Sequence, residues 1–146
     1  MGTIMDFLGG DHRVCDDLFA SAEEAVGKKN WGGAHRLFDQ FHATMKHHLA
    51  MEENVLFPAF EAQTGTTEGP TQVMRMEHEH MRELMQDMAH AVIKTDFEAY
   101  LGLSETLNML MQQHNLKEEN VLYPMIDRVL AQERDHLIHT MKAVTP

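Results

Sequence analysis

His48-Leu49-Ala50-Met51-Glu52-Glu53-Asn54-Val55-Leu56-Phe57-Pro58 returns 66 residues later as His114-Asn115-Leu116-Lys117-Glu118-Glu119-Asn120-Val121-Leu122-Tyr123-Pro124. The same offset carries His12 onto His78, so His12 and His48, like His78 and His114, stand 36 residues apart. The chain reads as two half-copies, about 4–63 and 70–129, each supplying two His and one Glu. Imidazole and carboxylate at matched positions of two copies describe a near-symmetric cage of six ligands for two metal ions. Those ligands are His12, His48, Glu52, His78, His114 and Glu118.

Around this repeat the pattern is helical throughout, with breaks at Gly, Pro and Thr clusters. The periodicity predicts helices over about 4–28, 32–63, 71–94 and 97–134, the first open to disturbance at Gly9-Gly10. Thr64-Gly65-Thr66-Thr67-Glu68-Gly69-Pro70 is the loop between the halves, and Thr95-Asp96 caps the fourth helix. A tail with Leu137, Ile138 and Met141 can form a short final helix. Pro58 and Pro124 fall inside long helical patterns at matching positions, where each is expected to kink or end its helix. Short loops between long helices imply antiparallel neighbours, so the expected fold is all-α, an up-down-up-down four-helix bundle.

Steps of three and four residues trace an apolar stripe along each helix. The stripes run Leu8, His12, Cys15, Phe19, Ala22, Val26; Leu37, Phe41, Met45, His48, Glu52, Val55; Met74, His78, Met81, Met85, Met88, Val92; and Leu103, Leu107, Met111, His114, Glu118, Val121. The six ligand candidates fall within the stripes. Burying Glu52 and Glu118 uncompensated would cost several kcal/mol each, and four unpartnered imidazoles would add to that. A net stability of roughly 5–15 kcal/mol cannot carry such a load. Metal cations supply the missing positive charge. His48 with Glu52, and His114 with Glu118, are i,i+4 pairs on one helix face, and a carboxylate has an oxygen for each of two ions. Mixed nitrogen and oxygen donors suit iron, manganese or zinc. Iron is preferred, because carboxylate-bridged pairs in bundle cores are commonly di-iron or di-manganese sites. Met45, Met81, Met85 and Met111 would make the surroundings dry and deformable.

The bulk composition agrees. At 146 residues, 43% hydrophobic and 24% charged, the chain has the length and balance of one globular domain spanning 1–146. A net charge of −11 argues against nucleic acid and against anionic membrane surfaces as partners. The single Cys15 cannot form an internal disulfide, which fits a reducing compartment. The N-terminus has no signal-peptide pattern, Asp6 spoils a myristoylation match, and no window approaches the roughly 20 apolar residues of a membrane span. The expected setting is the cytoplasm.

At Asp11-His12, at His48 and Glu52 in HHLAMEENVLFP, at Glu77-His78 in MEHEHMREL, and at His114 and Glu118 in QHNLKEENVLYP, the chain resembles the hemerythrin-like family, the HHE cation-binding domains. The resemblance spans about residues 3 to 130. It implies a four-helix bundle holding a non-heme di-iron centre with an oxo- or hydroxo-type bridge. Oxygen-carrying hemerythrins have a fifth His one turn after the third helical His, a position held here by Arg82, with Asp16 as its repeat mate. The four-His, two-Glu set is more similar to the di-iron domain of iron-centre repair proteins that respond to nitric oxide stress, which usually carry a further N-terminal domain.

Other residues read more plainly. His80 is about 200° round the helix from His78 and is expected in solvent. His47, His90, His136 and His139 are expected at the surface, and His35 and His42 are minor candidates for assisting the site. Glu53 and Glu119 are expected to be exposed, Cys15 to be a small buried residue, and Tyr123, the repeat mate of Phe57, to be core. Three functions share the six ligands: binding or sensing of a small diatomic ligand such as O2 or NO, enzymatic processing of nitric oxide or peroxide, and donation of iron to an acceptor protein with a damaged iron site. A zinc-only structural bundle is the fourth.

Overall fold

A computed structural model of the chain describes residues 2–146. Among the described residues seven α-helices form: α1 Ile4–Gly27, α2 Trp31–Met51, α3 Phe57–Thr64, α4 Pro70–Ile93, α5 Phe97–Lys117, α6 Tyr123–Val129 and α7 Arg134–Lys142. One π-helical turn, Glu52–Leu56, joins α2 to α3, and a second, Glu118–Leu122, joins α5 to α6. α1, α2–α3, α4 and α5–α6 are therefore the four rods of a bundle. α1 packs against α2, α5 and α6, and α4 packs against α2 and α5. Short loops turn each rod back on the one before, as expected for an up-down-up-down bundle. α7, the short final helix, lies against α1 and the first π turn.

Local chemistry sets the ends. Thr3 and Asp6 form a reciprocal capping box on α1. Asp127, from α6, accepts hydrogen bonds from the backbone N–H of Ile4 (2.7 Å) and Met5 (3.1 Å), holding the start of the first rod to the last. Asn30 caps α2 and Asp96 caps α5. Gly65, at φ 77°, takes the left-handed position that ends α3. The repeat extends to the turns: Lys29 and its mate Thr95 both have positive φ, 56° and 51°.

Three details differ from the sequence reading. α1 runs unbroken through Gly9 and Gly10. The fourth rod ends at Val129, a turn intervenes, and the tail forms α7. Pro58 and Pro124 neither stop nor simply bend their rods. Proline lacks an N–H and its ring excludes the carbonyl four residues back. The rod widens instead: the Phe57 N–H donates to the Glu52 carbonyl, and the Tyr123 N–H to that of Glu118, each five residues back. The inserted residue shifts the phase. Leu56 and Leu122 take the core places that the stripes assigned to Val55 and Val121, and Val121 is left 55% exposed.

The core has two apolar parts. One holds Phe19, Phe38, Phe41, Met45, Met81, Met85, Tyr100, Leu107 and Met111. The other holds Ile4, Leu8, Leu56, Phe57, Met74, Leu122, Tyr123 and Ile126, and is closed by Leu137, Ile138 and Met141 of α7. Along every rod the ligand candidates fall between a residue of one part and a residue of the other, as His12 does between Leu8 and Cys15. A polar layer thus lies across the middle of the bundle.

Candidate metal centre

The six residues named from the repeat converge in this layer, and all are buried, none more than 4% exposed. The rings form two pairs, His12 with His48 at 4.7 Å between centroids and His78 with His114 at 4.9 Å. The glutamates lie between the pairs. Glu118 turns Oε1 to His12 Nε2 (3.1 Å) and Oε2 to His114 Nε2 (3.2 Å), one oxygen to each pair. Glu52 turns Oε1 to both His78 Nε2 (3.1 Å) and His48 Nε2 (3.6 Å). Two donor groups that could each hold an ion result: His12, His48 and Glu118, and His78, His114, Glu52 and Glu118. The π turns contribute directly, since Glu52 and Glu118 are their first residues. A π turn opens the ladder at such functional positions.

Each imidazole is aimed by a second carboxylate. Asp11 bonds His48 Nδ1, Glu77 bonds His114 Nδ1, Glu53 bonds His78 Nδ1 and Glu119 bonds His12 Nδ1, all at 2.7 Å. The pairing obeys the repeat: offset by 66, the Asp11–His48 contact becomes Glu77–His114, and the Glu53–His78 contact becomes Glu119–His12. A carboxylate on Nδ1 fixes the ring and leaves the Nε2 lone pair facing the layer. Glu53 and Glu119 are thus corrections to the sequence reading: they are partly buried and orient ligand candidates. The signal was present, because an acid precedes His12 and His78 and another follows Glu52 and Glu118 in both copies. Which imidazole each acid would reach depends on neighbouring rods.

His80, His35, His90, His136 and His139 lie in solvent, and His47 is half-buried outside the layer. His42 packs tilted against Phe38 at 5.4 Å between ring centroids, away from the layer. Arg82, at the fifth-His position of the oxygen carriers, points to the Glu53 carboxylate with bonds of 2.7 and 2.9 Å. Its mate Asp16 accepts instead from Gln112. Tyr123 is core, as expected, but its hydroxyl enters the layer: it donates to Glu52 Oε2 (2.6 Å) and lies 3.0 Å from Glu118 Oε1 and 3.2 Å from His12 Nε2.

The donor set fits cations. His48 Nε2, His78 Nε2, His114 Nε2, Glu52 Oε1 and Glu118 Oε2 are buried without a hydrogen-bond partner. Each such group costs about 1–3 kcal/mol, and all five face a common space. Burial alone would lower the His12 pKa, but the hydrogen bond and charge of Glu118, with Glu119, carry it up to about 9. Burial likewise opposes protonation of His78, and the adjacent carboxylates of Glu52 and Glu53 raise it to about 9. Burial, then the Glu118 charge, raises Glu52. For Glu118 burial is outweighed by the neighbouring Glu52 carboxyl and the nearby imidazoles, which hold it well below the usual range. Burial, then the two glutamate charges, pushes the Tyr123 phenol well above 10. Protons and metal ions compete for such a layer. Beside it lies a void of about 10 Å³ lined by His12, Cys15, Met45, His48, Leu49, Met81, Met111, His114 and Asn115, room on the scale of one water molecule.

A bundle with a buried His–Glu layer drawn from all four rods is the arrangement of a cation-binding helical domain. Residues 3–126 match the hemerythrin HHE cation binding domain, and the chain belongs to that family. Similar curated proteins are the iron-sulfur cluster repair protein YtfE of Escherichia coli O1:K1 / APEC, of Escherichia coli strain SMS-3-5 and of Escherichia fergusonii. Each is 32% identical over 111 residues, covering 69% of this chain and 49% of the relative. The chain therefore spans about half the length of the curated relatives it matches. No solved structure matches it. Among the described residues no helix is long and apolar enough to cross a membrane.

Proposed function

We propose that this chain holds two iron ions in the polar layer, one between His12 and His48 and one between His78 and His114, with Glu52 and Glu118 bridging them. The observation that carries this reading is the set of inward lone pairs: each Nδ1 is tied to a carboxylate, while the Nε2 atoms of His48, His78 and His114 have no hydrogen-bond partner. An iron pair of this kind supplies open coordination positions that bind a small diatomic ligand such as O2 or NO. The void beside the layer, bounded by Met45, Met81 and Met111, leaves space next to the imidazoles for a group about the size of one water molecule. The chain's own residues aim the imidazoles, exclude water and hold a hydroxyl at the layer. Sensing or binding of O2 or NO is the function this supports best, in the cytoplasm, where the buried Cys15 stays reduced.

The names of the relatives favour a second reading, in which the ions are delivered to a protein whose iron centre has been damaged. Metal analysis with an optical spectrum, recorded with and without NO, tests the first. Two iron ions per chain and a stable, reversible NO-dependent change are expected. Turnover of NO or peroxide would make the protein an enzyme, and loss of iron to an apo-acceptor would favour donation. Glu118→Ala should abolish the pair; full metal content in that variant would refute the bridging role.

A further inference from the structure

Half-repeat mates match at all six ligand candidates and, in kind, at the acids that aim the imidazoles. They break where Phe57 becomes Tyr123. The Phe57 ring stacks on His78 at 5.7 Å, and the Tyr123 ring stacks on His12 at the same distance. One mate ends in a ring edge and the other carries a hydroxyl into the layer. That oxygen lies 3.0 Å from Glu118 Oε1 and 3.2 Å from His12 Nε2, which are themselves 3.1 Å apart. The three atoms form a nearly equilateral triangle. Adjacent donors of an octahedral ion with metal–ligand distances of about 2.1 Å lie about 3.0 Å apart, so this triangle has the dimensions of one coordination face. His12 Nδ1 is committed to Glu119, and the Tyr123 hydroxyl donates to Glu52. A ring nitrogen, a carboxylate oxygen and a phenol oxygen are left facing one another.

Resting on the metal-pair reading, we infer that Tyr123 is a seventh protein donor: its phenol oxygen ligates the ion at the His12–His48 position, and the phenol proton is released as the ion binds. The two positions are then inequivalent. The His12–His48 position is richer in oxygen, and the His78–His114 position faces Phe57, with Arg82 neutralising Glu53 behind it. The same contact accounts for Glu52 turning only one oxygen to the imidazoles, since its other oxygen is held by Tyr123.

The test uses the full chain loaded with iron(III). Wild type should hold two ions per chain, absorb in the visible by phenolate-to-iron charge transfer, and give tyrosinate ring vibrations in resonance Raman spectra excited in that band. Tyr123→Phe should keep both ions and lose these vibrations. Tyr100→Phe, at the only other tyrosine, should keep them. Two-iron wild type without tyrosinate vibrations overturns the inference and leaves the metal pair standing. So does their survival in Tyr123→Phe, or their loss in Tyr100→Phe. Failure of wild type to take up iron overturns both readings. Should Tyr123→Phe not fold, wild type and Tyr100→Phe decide the matter alone.

Discussion

Replacing Glu53 by Ala should damage the metal layer and the fold by separable amounts. Glu53 accepts from His78 Nδ1 at 2.7 Å and from Arg82 at 2.7 and 2.9 Å. Burial alone would raise its pKa, but bonds from His78 and Arg82 lower it to about 2, against 4.5 for an ordinary glutamate. Linkage converts that depression into at most about 3 kcal/mol, and the partial exposure of the carboxylate discounts it to about 1–2 kcal/mol. The folded pKa is the depressed one, so this stability is fully present above pH 4.5 and lost as pH falls toward 2. The difference between wild type and Glu53→Ala should therefore shrink across that window. Loss of a group that orients a metal-bound imidazole typically weakens metal affinity about 10–100-fold. Glu119→Ala removes the equivalent contact on His12, but no Arg stands behind that carboxylate, so its stability cost should be smaller at equal metal cost. Urea titrations between pH 3 and 7 read the first quantity, and competition against a chelator of known affinity reads the second. A Glu53→Ala variant with a pH-independent stability loss, or with wild-type metal affinity, would refute the reasoning.

Metal uptake should itself depend on pH. With His12 and His78 at about 9 in the ion-free protein, their protonated forms contribute stability below about pH 6.5 that is lost as pH rises through 9. Loading at pH 7 should release protons, measurable in a pH-stat, and chelator-treated protein should lose stability between pH 6.5 and 9 while loaded protein does not. Asp127→Ala removes the tie from α6 to the start of α1 and should cost about 1–2 kcal/mol in chemical denaturation. It should leave metal content unchanged. Thr95 sits at φ 51°, a strained conformation for a β-branched residue, so Thr95→Gly should raise stability by about 0.5–1 kcal/mol, seen as a higher Tm.

Much of the molecule could be read from local pattern. His12, His48, His78 and His114 sit in phase with apolar neighbours on helices long enough to show a 3.6-residue period, so their burial followed from the chain alone. The repeat supplied the symmetry that made six polar residues one constellation. Glu52 and Glu118 were recognisable because each lies one turn after a histidine. Val55 and Val121 were assigned to the core by the same arithmetic, and there it failed. The prolines that follow insert a π turn, and one extra residue rotates everything beyond it.

The sequence by itself thus determined an all-helical chain of two similar halves, each with two imidazoles and one carboxylate in its buried stripes, because helical periodicity and internal repetition are local properties. Tertiary structure alone decided which carboxylate reaches which ring, that Arg82 turns to Glu53, that α7 closes one end of the core, and that the Tyr123 oxygen stands among His12, Glu52 and Glu118. Apart from that between Tyr123 and Glu118, those side-chain contacts across rods join residues 25 to 111 positions apart. They are set by how four rods pack, and hydrogen bonding acts over about 3 Å, a distance that spacing along one helix cannot encode across to another.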